Sequence, residues 1–298
     1  MATGRFFRQL ELPQQKPYTT DGVVFPAVLS PTTSTTNLTA FEFQEAIRSE
    51  KQWLESLLQK TGVILFRGFP VTSPSDFNEV VEAFGFPEFP SLGGRAPRKH
   101  IVGRVYTANE SPLHKRIPFH HELAYNLEFP SKLFFYCEEE PGKGGETPVV
   151  LSHVIHDKMK ERHPELVAKL EEHGVTYVTT VGDDDHSSAI GGISWKSAYM
   201  TDDKNVAIQR ATKVGAKLEW TGNAVKIIAG PRQAIRFDKG NQRKIWFLNH
   251  GYNPLKSNID DHDPYYELGN GELVSDDAIS ECLKIMDEEC VAIPWKKR

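Results

Sequence analysis

From residue 175 onward the chain breaks into short apolar runs, at 175–181, 217–220, 225–228, 234–237 and 245–248, separated by Gly, Asn and Asp. Runs this short and this regularly punctuated read as strands of a sheet protein rather than as helices. Two further runs, 133–137 and 148–151, read as strands joined by a turn through Pro141-Gly142 and Gly144-Gly145. Helical spacing occupies the flanks. Residues 41–60 place Phe43, Ile47, Leu54 and Leu58 on one face, and Gly62 follows as a stop. Residues 75–84 form a second helix with Ser75 or Asp76 as its cap. Ser152 is expected to cap a helix to Arg162, Pro164 opens another that Gly174 closes, 204–214 is helical, and Ser275 caps 276–291. The expected fold is therefore β-rich α/β, a jelly-roll-like core flanked by helices. No linker divides the chain, so one domain over 1–298 is expected, with 1–25 as an N-terminal arm.

Charge and cysteine content narrow the function classes. The net charge is −5 with basic residues scattered, which gives no footprint for nucleic acid or an anionic membrane surface. No apolar run approaches the length of a membrane span, and the first 20 residues lack a signal-peptide core. Cys137, Cys282 and Cys290 have no metal-binding spacing, and a reduced, cytoplasmic setting is expected.

The chemistry-bearing stretch is Ile117-Pro118-Phe119-His120-His121-Glu122. On a strand, residues two apart share a face, so His120 and Glu122 can converge on one ion while His121 points away. Imidazole with carboxylate is the donor mixture of non-haem Fe(II) oxygenases, which add a second His. The spacing alone is weak. With 11 His and 40 acidic residues in 298, chance supplies roughly 1.5 such pairs. A rival, His163-Pro164-Glu165, flanks a helix start and reads as a capping or surface pair. Asp183-Asp184-Asp185-His186 reads as a solvated turn. Asn109 reads equally as a turn residue and as a substrate contact. Trp195 and Trp220 read as core.

Three stretches together resemble the TauD/TfdA group of Fe(II)- and 2-oxoglutarate-dependent dioxygenases, and within it the plant clavaminate synthase-like members. They are Gly62-Val63-Ile64-Leu65-Phe66-Arg67-Gly68-Phe69, Pro118-Phe119-His120-His121-Glu122 and Gly144-Gly145-Glu146-Thr147-Pro148, with 103–112 strengthening the plant match. The resemblance implies a double-stranded β-helix core holding Fe(II) in a two-His, one-carboxylate triad. His120 and Glu122 match its first two ligands, and Thr147 matches the hydroxyl that binds the 2-oxoglutarate carboxylate. It further implies O₂ and a small-molecule substrate, with release of succinate and CO₂.

The same resemblance places a second His and a carboxylate-clamping Arg beyond a Trp-x-x-Gly-Asp segment. Here Trp295-Lys296-Lys297-Arg298 is the end of the sequence. His250, His262, Arg243 and Arg298 do not stand in the expected context. The expectation is therefore a chain lacking the last core strands, the distal His and the Arg, with little activity. The alternatives are a cupin-like metal-binding or sensor protein, a partner-binding relative that binds neither group, and, more remotely, a zinc hydrolase.

Overall fold

The computed structural model describes residues 6–18, 24–32, 38–90, 92–94, 98–110, 117–185, 192–249 and 265–297. They form a mixed α/β fold with several separate sheets. The N-terminal part holds β1 (Phe7–Gln9), β2 (Lys16–Pro17), β3 (Val24–Phe25), β4 (Ala27–Pro31), α1 (Ala40–Thr61), β5 (Ile64–Phe66), α2 (Pro74–Ala83), β6 (His100–Val102) and β7 (Val105–Tyr106). β4 lies between β1, antiparallel to it, and β5, parallel to it. The parallel step is made by α1, whose ends are set by local chemistry. Thr39 and Glu42 form a reciprocal capping box at its start, a device worth about 1 kcal/mol. Gly62 ends it at φ +74°, a left-handed conformation in which a Cβ would be strained. Between this sheet and α1 and α2 lies an aromatic cluster. Phe7 and Phe43 are buried within it, and Phe43 stacks on Phe69 at 4.2 Å.

The larger sheet follows α3 (Ser152–Arg162) and α4 (Pro164–His173). Its strands are β8 (Val175–Val181), β9 (Ala216–Thr221), β10 (Ala224–Arg232) and β13 (Tyr265–Leu268), in the order β13-β8-β10-β9 with antiparallel pairing throughout. α5 (Trp195–Tyr199) and α6 (Lys204–Lys213) lie between β8 and β9 in sequence. β11 (Ile235–Asp238) and β12 (Arg243–Trp246) form a hairpin that packs on α3, and α7 (Asp276–Glu289) packs on α3 as well. The second core gathers Met159, Leu170, Tyr177, Trp195, Trp246 and Ile285. Trp195 is almost fully buried, edge-on to Trp220, as expected of core. Cys282 is buried, whereas Cys290 is only half-buried. Among the described residues no helix is long and apolar enough to cross a membrane.

The structure corrects several expectations. Residues 133–137 and 148–151 are not strands. A ladder needs a partner, and the alternation at 133–137 is spent on packing instead. Phe134 packs on Phe84 and Phe86 and Tyr136 on Phe77, while Leu133 and Phe135 are exposed. In 148–151, Val149 makes an isolated bridge to Val291. The cap of α2 is Ser73, with Asp76 as its capping-box partner. Ser152 lies inside α3, behind an N-cap Leu151 that makes no side-chain bond. Among the described residues the strands form separate sheets, and none closes into a barrel.

Candidate functional site

His120 and Glu122 do not sit on a ladder strand. Residues 117–121 are irregular, and Glu122 opens a turn through Leu123, which takes a positive φ of 55°. The two side chains converge nonetheless, with His120 Nε2 3.7 Å from Glu122 Oε2. A carbonyl only accepts, so the 2.8 Å contact of His120 Nδ1 with the Pro118 carbonyl oxygen puts the Nδ1 proton on that side. Nε2 is left facing the carboxylate. The other carboxylate oxygen, Oε1, accepts from Arg98 Nη2 at 3.1 Å, and Arg98 Nη1 donates to the Ala108 carbonyl at 2.8 Å. The facing carboxylate raises the His120 pKa against the opposing pull of burial. The facing imidazole, and then Arg98, hold the Glu122 carboxyl below the usual range.

This donor set can be tested against a divalent ion. The 3.7 Å separation is shorter than two metal–ligand bonds of about 2.1 Å each laid end to end. One ion therefore fits between Nε2 and Oε2. Among the described residues no cluster of three or more His, Cys, Asp or Glu side chains stands ready for a metal. His250, His262 and Arg298 lie outside the described residues. Arg243 is engaged elsewhere, its Nη1 3.1 Å from His153 Nε2.

The His121 ring makes its contacts with other elements than the pair does. Its Nε2 lies 3.0 Å from Ser152 Oγ and 3.2 Å from the Trp246 carbonyl oxygen, and its ring packs on Phe247 at 4.5 Å. Burial lowers its pKa. The main chain of His121 is bonded on both sides to one side chain. Its N–H donates to Asn249 Oδ1 at 2.7 Å, and its carbonyl accepts from Asn249 Nδ2 at 2.8 Å. The backbone N–H of Asn249 in turn donates to Tyr177 Oη on β8 at 3.0 Å.

Thr147 lies on the loop ahead of α3, where its Oγ1 accepts from the Trp295 indole N–H at 2.9 Å. That bond leaves the hydroxyl proton free to donate to another acceptor. The segment carrying Trp295 is fastened to this loop by the Val149–Val291 bridge and by Lys296 on Glu140 at 3.0 Å. Asn109 follows Ala108, the residue whose carbonyl holds Arg98. His163 is both the last cap of α3 and the first of α4. Asp183 accepts from the Trp195 indole at 2.6 Å, and Asp185 accepts from Ser194 N–H at 2.6 Å and Ser197 Oγ at 2.7 Å. These acidic side chains brace α5.

Arg98, Ser152, Tyr177 and Asn249 were not legible as site residues. Ser152 carries a cap signature and Asn249 a loop signature, and the separation of 128 positions from His121 to Asn249 leaves no spacing to read.

The profile of the taurine catabolism dioxygenase TauD, TfdA family matches residues 27–276. The chain is 50% identical over 292 residues to a clavaminate synthase-like protein of Arabidopsis thaliana, covering 96% of this chain and 88% of the relative. It is 26% identical over 258 residues to the dapdiamide synthesis protein DdaC of Enterobacter agglomerans, covering 82% of this chain and 75% of that protein. A match across most of the length, joined to a relative at half identity, places this chain in the TauD/TfdA family.

Proposed function

We propose that this chain is a 2-oxoglutarate-dependent oxygenase that binds Fe(II) through His120 Nε2 and Glu122 Oε2 and acts on a small molecule with O₂. The observation carrying the reading is the 3.7 Å convergence of these two donors within a family-matched chain. Bound Fe(II) with 2-oxoglutarate would supply the oxidising chemistry, releasing succinate and CO₂. The protein's own contribution is positioning. The Pro118 carbonyl holds the His120 Nδ1 proton, so that the Nε2 lone pair would be available to hold the ion. Arg98 occupies Oε1 of Glu122 and leaves Oε2 for the metal. The Thr147 hydroxyl, oriented by the Trp295 indole, donates to the cosubstrate carboxylate. Asn109, which follows the Ala108 anchor of Arg98, would contact the substrate. In this reading the core is the jelly roll of the family, and two described donors alone hold Fe(II) more weakly than a triad would.

A second reading rests on a specific contact. The hydroxyl assigned to the cosubstrate is already bonded to Trp295, an arrangement that also suits a non-catalytic metal-binding or partner-binding relative. Anaerobic addition of Fe(II) and then 2-oxoglutarate to the 298-residue chain separates the two. A visible metal-to-ligand charge-transfer band in the wild type that is lost in His120→Ala is the expected result. Metal binding with no such band and no succinate release would establish the second reading in its place.

A further inference from the structure

We infer that Asn249 is a positioning residue for the metal-binding pair: its side-chain amide substitutes for the missing neighbouring strand and sets the angle between His120 and Glu122. The inference rests on the reading of those two residues as ligands. Its physical basis is peptide planarity. The N–H of His121 lies in the plane that contains the His120 Cα, and the carbonyl of His121 lies in the plane that contains the Glu122 Cα. One amide bonded to both groups, at 2.7 and 2.8 Å, therefore fixes the two planes from which the ligand side chains project. A ladder partner would ordinarily do this, but residues 117–122 belong to no strand.

The amide is itself anchored to the core. Its residue donates to Tyr177 Oη, on a buried side chain of β8. The His121 ring between the ligands is tied to the Trp246 carbonyl at the end of β12 and to Ser152 at the start of α3. Three elements of the second core thus converge on the one residue between the ligands. The chemistry also selects the side chain. A group reaching both a backbone donor and a backbone acceptor must itself carry an acceptor and a donor, which an amide does and a carboxylate or an alkyl group does not.

The test uses Co(II) as a spectroscopic stand-in for iron, titrated without oxygen into the full 298-residue chain. The variants are Asn249→Ala, Asn249→Asp, His120→Ala and a control, Gln44→Ala, which removes a 2.8 Å bond to Glu79 in the other core. Asn249→Asp is nearly isosteric and keeps the acceptor for the His121 N–H, but sets an oxygen against the His121 carbonyl. It covers the case in which the Ala variant does not fold. Both Asn249 variants should lose roughly 10- to 100-fold in affinity, as when an outer partner of a metal ligand is removed. They should also shift the Co(II) d–d bands, with far-UV circular dichroism unchanged, while Gln44→Ala keeps the wild-type bands. Asn249 variants that bind as tightly as wild type, while His120→Ala does not bind, would overturn the inference and leave the site reading intact. So would an affinity loss matched by Gln44→Ala. Equal binding by wild type and His120→Ala would overturn the site reading, and the inference with it.

Discussion

His120-x-Glu122 and His163-x-Glu165 have the same residue types at the same spacing, and the fold uses them in opposite ways. In the first, the side chains face each other at 3.7 Å, the ring is oriented by the Pro118 carbonyl, and the intervening backbone is gripped by Asn249. In the second, the intervening residue is Pro164, which has no N–H to be gripped and whose fixed φ starts α4. His163 uses its backbone N–H to close α3 on the Met159 carbonyl, and Glu165 lies in the first turn of α4, where the helix dipole favours an anion. The difference lies in what holds the residue in the middle, a side-chain amide in one pair and a helix start in the other. α3 joins the two cases, since it starts at Ser152 on the His121 ring and ends at His163.

The comparison breaks most sharply on metal binding. His120→Ala should cost more than the roughly 100-fold upper range of outer-partner losses, and His163→Ala should cost nothing in the same calorimetric titration with Co(II). An equal loss in both would erase the distinction. Next in size is an acid effect on the helix that joins them. Burial, and then the charge of Arg243, push the His153 pKa from 6.5 down to about 4. The unfolded chain therefore takes up a proton near pH 6.5 that the folded chain refuses until about pH 4. Stability should fall as pH drops through that window and level off below it. Urea unfolding of His153→Gln should show a flatter dependence between those pH values, and an unchanged slope would refute the assignment.

A smaller effect sharpens the site itself. Arg98→Gln removes a partly exposed cation from Glu122, so divalent-ion affinity should rise a few-fold, in line with the roughly 1 kcal/mol ceiling of such pairs. Weaker binding would show that the orientation Arg98 gives the carboxylate outweighs the charge it opposes. Smallest is Glu165→Gln, which should lower thermal stability by less than about 1 kcal/mol through the helix dipole and leave metal affinity untouched.

How far the sequence carried depended on the range of the physics involved. The elements whose causes are local were legible. α1 with its Gly62 stop, α4 between Pro164 and Gly174, β8 at 175–181 and α7 behind Ser275 lie where spacing and caps put them. β1, β4, α5 and β13 were not, because each is short and is stabilised by distant partners. Phe7 packs on Phe43 of α1 and on Phe69 as well as on its neighbour Phe6, contacts that span the chain. The continuous apolar run at 133–137 suggested a strand because the pattern cannot say whether a ladder partner exists. At the site, the sequence suggested that His120 and Glu122 converge, which they do at 3.7 Å, though on a turn and not on the expected strand. Their turn geometry, the Arg98 contact and the Asn249 grip required tertiary structure.

The grip on His121 also sets an order of events during synthesis. Its two halves are 128 residues apart in the chain, which at roughly 5–20 residues per second is an interval of roughly 6 to 26 s. The buried residues of the aromatic cluster run from Phe7 to Phe84, so all of them have been translated before His120 is made. His120 and Glu122 then emerge without the amide that aligns them and wait for the β11–β12 hairpin and the residue that follows Leu248. The aromatic cluster is thus made well before the pair, and the amide that aligns the pair only long after it, with β13 and α7 still to follow.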